Sequence, residues 1–267
     1  MFCPRYQLTH DPFSKSLAAK DVYATKDFIA CCSRLDYLER NRGLALITAS
    51  AGYGKTLCMR AFAEKQNTSL VKVVYLCMST LTISEFYRQL SQALGLEPPY
   101  RKADMFRELQ SHIETLSVQR KIHCIIILDE AQYLNPDILR DLKMLMNFDY
   151  DSRDRFSLVL TGQPTLADML SRQIHESLKQ RITVNYEFEG IGEGEAKEYA
   201  DKMITLAGGS TTIFDDAAIH AAFNCSNGAI RVLGHVLSRA LVIGEQNDAN
   251  QIGSDIVMVA ANELEIR

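Results

Sequence analysis

The sequence predicts an α/β fold, a parallel sheet flanked by helices, followed by a small all-helical domain. Three observations predict it. Strand-like and helix-like segments alternate over residues 26–189, the pattern of a parallel sheet joined by crossover helices. Two apolar runs in that stretch end in residues a buried strand does not need for itself. One ends in Ala49-Ser50-Ala51-Gly52-Tyr53-Gly54-Lys55-Thr56, the other in Asp129-Glu130. Beyond about Gly190 no strand pattern remains. The implied division is an N-terminal arm over 1–25, an α/β core over 26–189 and a helical domain over 190–267.

The elements follow in order. The arm reads as irregular, with Pro4, Pro12 and Asp21. Residues 26–42 carry Phe28, Ile29, Leu35 and Leu38 at roughly helical spacing. Residues 43–48 are a short apolar run and read as a buried strand; 57–64 read as a helix. Residues 70–76 are rich in β-branched side chains and read as a strand. A helix over 84–94 is ended by Gly95 and Pro98-Pro99. Tyr100, Arg101 and Lys102 lie in the following loop, and 103–117 read as the next helix. Cys124 to Leu128 form an apolar run of the length and character of a central parallel strand. An amphipathic helix over 137–147 and a strand over 156–161 come next, the strand ending at Gly162-Gln163-Pro164. Short segments through Arg181 lead to a fifth strand over 182–186. The helical domain then reads as 193–206, 215–223, 229–245 and 254–263, punctuated by Gly208-Gly209 and Asn227-Gly228. There is no internal repeat and no low-complexity linker.

The octapeptide fits the pattern G-x-x-x-x-G-K-[ST], except that Ala49 replaces the first glycine; alanine fits there where φ is negative. Backbone N–H groups of such a loop point inward at an anion, so Ala51, Gly52, Tyr53, Gly54, Lys55, Thr56 and Leu57 form the predicted phosphate cradle. Lys55 can reach β- and γ-phosphates, and the Thr56 hydroxyl can ligate magnesium. The helix that follows brings the partial positive charge of its N-terminus to the same place. Two carboxylates at the end of a buried strand suit a nucleotide site. Asp129 can bind the magnesium shell and Glu130 can polarise an attacking water. The rival reading makes these acids an N-cap for a segment starting near Gln132. Both motifs sit at the carboxyl ends of strands, where open α/β sheets bind ligands. ATP and Mg2+ are therefore the expected cofactors and ATP hydrolysis the expected reaction.

Bulk composition narrows the remaining classes. Lys+Arg 29 against Asp+Glu 33 gives a formal net charge of -4. Contact with nucleic acid then requires a local basic patch, or many subunits acting together. The seven cysteines show no CxxC pair, which favours reduced thiols and a cytoplasmic protein. The six histidines show no HExxH spacing, so no structural metal is expected beyond magnesium. No apolar run approaches the ~20 residues needed to span a bilayer, and the N-terminus is unlike a signal peptide.

Taken together, these residues resemble an AAA+ ATPase, and more narrowly the ExeA/TnsC/MuB-like group. The likeness rests on the octapeptide, on Tyr6 to Phe13 with its Pro12-Phe13, on Leu128-Asp129-Glu130-Ala131-Gln132, on Leu160 to Leu166, on Leu178 to Ile182 and on Gly228-Ala229-Ile230-Arg231. The resemblance implies roles. Gln163, or its competitor Thr161, contacts the γ-phosphate or the water. Arg231 reaches the phosphates from the helical lid. Arg181, or its rival Arg172, is an arginine finger acting in a neighbour's site. Pro12 and Phe13 pack near the adenine, or else staple the arm to the core.

Two downstream roles occur in this group: transposition regulators that assemble on DNA and recruit a transposase, and secretion-type proteins with a membrane span. The chain ends about where the lid ends and shows no span, which favours the DNA role. The resemblance thus implies ATP-dependent self-assembly into a ring or filament, with double-stranded DNA and a transposase as partners and no membrane. The best local basic patch for DNA is Tyr100-Arg101-Lys102, with Arg107 nearby and Arg120-Lys121 as a second run. A helical assembly repeats one weak contact many times. The competing classes are a secretion-type, protein-remodelling or signalling ATPase without DNA binding, and a metabolic P-loop kinase, which gives no reason for a trailing lid.

Overall fold

The computed structural model describes residues 2–14 and 22–264. The part of the expected arm over 15–21, Asp21 included, lies outside the described residues. The chain divides into two compact units. The α/β unit holds 30–49 and 55–188. The helical unit holds the described residues up to Ile29, the loop Ser50–Gly54 and those from Glu189 onward.

In chain order the elements of the first part are α1 (Lys26–Asn41), β1 (Gly43–Thr48), α2 (Lys55–Lys65), β2 (Val71–Cys77), α3 (Ile83–Leu94), α4 (Lys102–Glu114), β3 (His123–Asp129), α5 (Pro136–Leu145), β4 (Phe156–Gly162), α6 (Thr165–Ser171), α7 (Glu176–Lys179) and β5 (Ile182–Glu187). The strands form one parallel sheet of order β2-β3-β4-β1-β5. Every residue of β1, β3 and β4 is buried, as their continuous apolar runs require of strands covered on both faces. The edge strands β2 and β5 have exposed positions. One face, with Leu44, Leu46, Ile126, Leu128, Leu158 and Leu160, joins a core with Phe86, Leu90, Met105, Leu109 and Ile138. On the other face the Ser157 hydroxyl donates to the Leu38 carbonyl of α1 at 3.2 Å.

Local chemistry explains the boundaries. A capping box between Thr82 and Glu85 starts α3, and Gly95 at φ 86 ends it, in a left-handed conformation that glycine adopts without strain. Asn135 caps α5, with Pro136 in the first turn. The helix expected over 103–117 is shorter. It gives way after Glu114 to a π-helical turn over Thr115–Gln119, which buries Leu116 and Ser117 together. The Ser117 hydroxyl accepts from the Arg42 guanidinium at 2.7 Å, a partner sequence periodicity cannot reveal. The helix expected from 57 begins at Lys55, inside the octapeptide.

The helical unit is built from α8 (Glu193–Leu206), α9 (Asp216–Ser226), α10 (Ile230–Gln246) and α11 (Ser254–Leu264). Asp215, expected as the first residue of its helix, is the N-cap of α9: its carboxylate accepts from the Ala218 N–H at 2.6 Å. The described part of the arm is buried with these helices. Phe2, Tyr6, Leu8 and Phe13 share a core with Met203, Leu233, Leu237 and Val257. Arg5 pairs with Asp248 at 2.9 Å, and the Thr9 N–H donates to the Ala207 carbonyl at 2.8 Å. Among the described residues no helix is long and apolar enough to cross a membrane.

Candidate active site

The order of the central strands sets the site. β3, β4 and β1 are neighbours and parallel, so Asp129, Gly162 and Ala49 leave the sheet at the same end. Ala49 is buried, its φ is not positive, and its N–H donates to the Gly162 carbonyl at 3.1 Å. An alanine therefore fits where the motif has its first glycine. The positive φ values fall instead on Gly52 (86°) and Gly54 (100°). A methyl group placed on Gly54 would meet nothing within 4 Å, so the loop keeps open space beside that residue.

Within the α/β unit, Lys55 is buried and its ammonium donates to the Ala49 carbonyl at 3.0 Å. The Thr56 hydroxyl donates to Asp129 Oδ2 at 2.9 Å. Asp129 is 1% exposed. The same Oδ2 accepts from the Tyr75 hydroxyl at 2.6 Å, and Oδ1 accepts from the Glu130 N–H at 2.9 Å. Burial first, then this bond to Asp129, pushes the Tyr75 phenol well above its ordinary range. Glu130 turns the chain with φ 55° and ψ 36°, a left-handed backbone unusual for a residue with a side chain. It precedes the short 3-10 turn Ala131–Tyr133 but gives it no side-chain cap. Glu130 thus stands at the N-cap position of the rival reading without making its side-chain bond. Glu130 Oε2 accepts from the Gln132 amide at 2.6 Å, and Gln132 Oε1 accepts from the Gln163 N–H at 3.1 Å. Thr161 is fully buried and its hydroxyl has no hydrogen-bond partner among the described residues.

This donor set fits magnesium with a nucleoside triphosphate. Thr56 and Asp129 supply hard oxygens at one point, and Lys55 supplies the cation. Arg181 lies elsewhere in the same unit. It directly precedes β5, whose Ile182 pairs with Leu44, so it stands where the strands begin rather than where they finish. Arg172 is exposed just after α6.

Within the helical unit, the loop Ser50–Gly54 is held by two hydrogen bonds. The Tyr53 hydroxyl donates to the Asn227 carbonyl at 3.1 Å, and the Arg231 N–H donates to the Gly52 carbonyl at 3.1 Å. Arg231 opens α10, and its residue is exposed. A methyl group on Gly190 would come within 2.8 Å of the Tyr53 ring, so glycine is needed there for close approach. Phe13 is buried in the core of this unit, with its ring 5.9 Å from that of Tyr199 and 6.5 Å from that of Phe214; Pro12 is buried beside it.

The basic loop is less open than its sequence suggests. Lys102 is ion-paired with Asp141 and sits 5.6 Å above the Tyr87 ring. Arg107 pairs with Asp104 at 3.0 Å. Tyr100 is 91% exposed and Arg101 is exposed. Tyr75 and Gln132 are site residues that carry no role in the motif reading. The signal for Gln132 was an amide two residues after Glu130. For Tyr75 there was none, since only the pairing of β2 with β3 brings it to Asp129.

Residues 38–170, just under half of the chain, match the family model described as AAA domain. The chain is 26% identical over 269 residues to General secretion pathway protein A of Aeromonas hydrophila, an alignment covering 99% of this chain and 48% of that protein. It thus spans about half the length of that relative. Among solved structures it is similar to Cdc6p of Pyrobaculum aerophilum, with TM-score 0.72 and 19% identity over 97% of this chain and 73% of the other. It is also similar to the ORC1 protein of Aeropyrum pernix in complex with DNA, with TM-score 0.68 and 18% identity over 95% of this chain and 69% of the other. At such identities the likeness is one of fold: a P-loop AAA+ fold, with a five-stranded parallel sheet flanked by helices and a helical C-terminal region.

Proposed function

We propose that the chain is an AAA+ ATPase that binds ATP with magnesium and hydrolyses it slowly, as a switch. The observation that carries this reading is the 2.9 Å bond between Thr56 and Asp129 beside buried Lys55. Magnesium and ATP, when bound, bring the scissile phosphoanhydride and the cation that neutralises its charge. Thr56 and Asp129 would hold the metal. Lys55 would leave the Ala49 carbonyl for the phosphates, and the N–H groups from Ala51 to Leu57 would cradle them. Glu130 would take the proton of an attacking water. Gln163 or Thr161 would face the γ-phosphate, and the orphan hydroxyl of Thr161 keeps it in contention. Arg231 is proposed to contact the phosphates, the role that the resemblance implies for it. In Lys55→Ala, binding of a fluorescent ATP analogue should weaken at least about tenfold. Glu130→Gln should bind as the parent does and lose about 10²-fold or more in turnover. A Glu130→Gln protein that turns over at the parental rate overturns the assignment.

Downstream, the reading is a DNA-acting transposition regulator: ATP drives self-assembly as a ring or filament on duplex DNA, and the assembly selects targets and recruits a transposase. Its support is the resemblance together with the fold shared with an ORC1 protein solved on DNA. Tyr100 and Arg101, just before α4, are better placed than Lys102, the helix's first residue, whose charge Asp141 already holds. A second reading, a secretion-type or protein-remodelling ATPase, is favoured by the match to General secretion pathway protein A. Duplex binding that depends on ATP and falls steeply with salt supports the first. Its absence under non-hydrolysable ATP supports the second. Binding unaffected by Arg101→Ala removes only the loop assignment.

A further inference from the structure

We infer that Gln132 is a positioning residue, which ties the Glu130 carboxylate to the β4 end that carries Gln163. The inference rests on the ATPase reading above. The Gln132 carboxamide uses both of its ends. Nε2 donates to Glu130 Oε2 at 2.6 Å and Oε1 accepts from the Gln163 N–H at 3.1 Å. A flipped amide would face a carboxylate with an oxygen and an N–H with an N–H, so the partners fix its orientation. Glu130 is held through one oxygen only. Its Oε1 makes no hydrogen bond among the described residues, which leaves that atom for a water. The backbone at Glu130 is in the left-handed region, so its side chain leaves the strand end in a direction the sheet alone does not fix.

Gly162 belongs to the same arrangement. Its φ lies outside the left-handed range, so the conformation does not require glycine. The amide's present position does: a methyl group there would collide with Gln132 Oε1, the movable end of that side chain. The absent side chain at Gly162 is what lets the amide reach between β3 and β4. Gln163 is one of the two candidates for the γ-phosphate, Thr161 beside it being the other, so a shift of the β4 end on sensing phosphate would pass through one amide to the water-activating carboxylate. Gln132 touches no reacting atom and acts through Glu130.

The test compares the full-length parent, Glu130→Gln, Gln132→Ala, Gly162→Ala and the Gln132→Ala/Gly162→Ala double variant. Turnover and KM for ATP are measured, together with crystal structures of nucleotide-free parent and Gln132→Ala. Displacement of a catalytic group by about an ångström costs up to about 10²-fold, so Gln132→Ala should lower kcat about 10- to 100-fold, with KM changed less than about twofold. Gly162→Ala should do the same by expelling the amide, and the double variant should be no slower than the slower single. In the crystals the Glu130 carboxylate should hold one position in the parent and spread over several in Gln132→Ala. Parental kcat in Gln132→Ala, multiplying effects in the double variant, or an unmoved Glu130 in the variant crystal each overturn the inference. If Glu130→Gln is inactive and Gln132→Ala is fully active, only the role of Gln132 falls. If Glu130→Gln or the parent contradicts the ATPase reading, both fall.

Discussion

Ala49 shows how much a single residue's backbone decides. It occupies a motif glycine's place at ordinary φ, and its carbonyl parks the Lys55 ammonium at 3.0 Å. Lys55, Thr56, Asp129 and Glu130 were legible in the sequence because each belongs to a contiguous motif whose spacing encodes its chemistry. Tyr75 was not, because its hydroxyl meets Asp129 only through the register that pairs Cys77 with Asp129. Tyr75→Phe should cost about 1 kcal/mol in urea unfolding, the usual worth of one hydrogen bond, because the phenol is partly exposed. An unchanged midpoint would show the bond to be idle. His123 supplies a pH dependence. Burial first, then the positive charge of Arg42, lowers its pKa to about 4, while Nε2 lies 2.9 Å from the Ser157 hydroxyl. Below about pH 6.5 the unfolded chain takes up a proton here that the folded chain refuses until about pH 4. This histidine's contribution is therefore intact above about pH 6.5 and is lost as the pH falls towards 4. At 1.36 kcal/mol per unit the loss is about 2 kcal/mol between pH 6.5 and 5. The slope should flatten in His123→Asn, read by urea titrations at pH 7, 6 and 5.

At the scale of the elements, the sequence located each of the five strands to within a residue or two, because continuous apolar runs and adjacent turn residues mark buried parallel strands. Helix ends were legible where a cap is local, as with Gly95 after α3, and drifted where the cause is distant, as with the π-helical turn after α4. The start of β1 is fixed by a contact no periodicity reports. Gly43 has φ 116°, and a methyl group there would lie 2.6 Å from Thr183 Oγ1 on the neighbouring β5. That hydroxyl already donates to the Leu44 carbonyl at 3.2 Å, so it cannot turn away without losing a bond. Gly43→Ala should therefore cost about 1–3 kcal/mol from backbone strain and displacement of the edge strand. Chemical unfolding measures the loss, and accelerated amide exchange in β5 would locate it. Equal protection of β5 in parent and variant would refute the contact as the cause.

At the scale of the whole molecule, the sequence shows two kinds of architecture in order along the chain, while packing groups residues by contact. Contiguous ranges give an arm, a core and a lid. The structure instead gathers the arm's described residues, the loop Ser50–Gly54 and the helical C-terminal region into one unit. Packing between residues far apart in sequence decides that grouping. The proposed arginine finger belongs to this scale too, since its placement tells how many chains a site would need. Arg181 precedes Ile182, the partner of Leu44, while the P-loop leaves beyond Thr48, the partner of Glu187. The β5 strand from Ile182 to Glu187, at about 3.3 Å per residue, separates them by roughly 17 Å along the sheet. An arginine side chain is much shorter than that. A direct contact of Arg181 with phosphate, as proposed, would therefore be made in a neighbour's site, through a head-to-tail contact of the kind that closes into rings or extends into filaments. Arg181→Ala should bind nucleotide as the parent does and lose about 10³-fold in turnover. Lys55→Ala should be inactive for want of a phosphate cradle. Mixed in equal amounts, the two should regain turnover, because one supplies the arginine and the other the intact loop. Random assortment makes about one contact in four productive. A mixture as inactive as its parts, with Arg172→Ala complementing Lys55→Ala instead, would move the finger to Arg172.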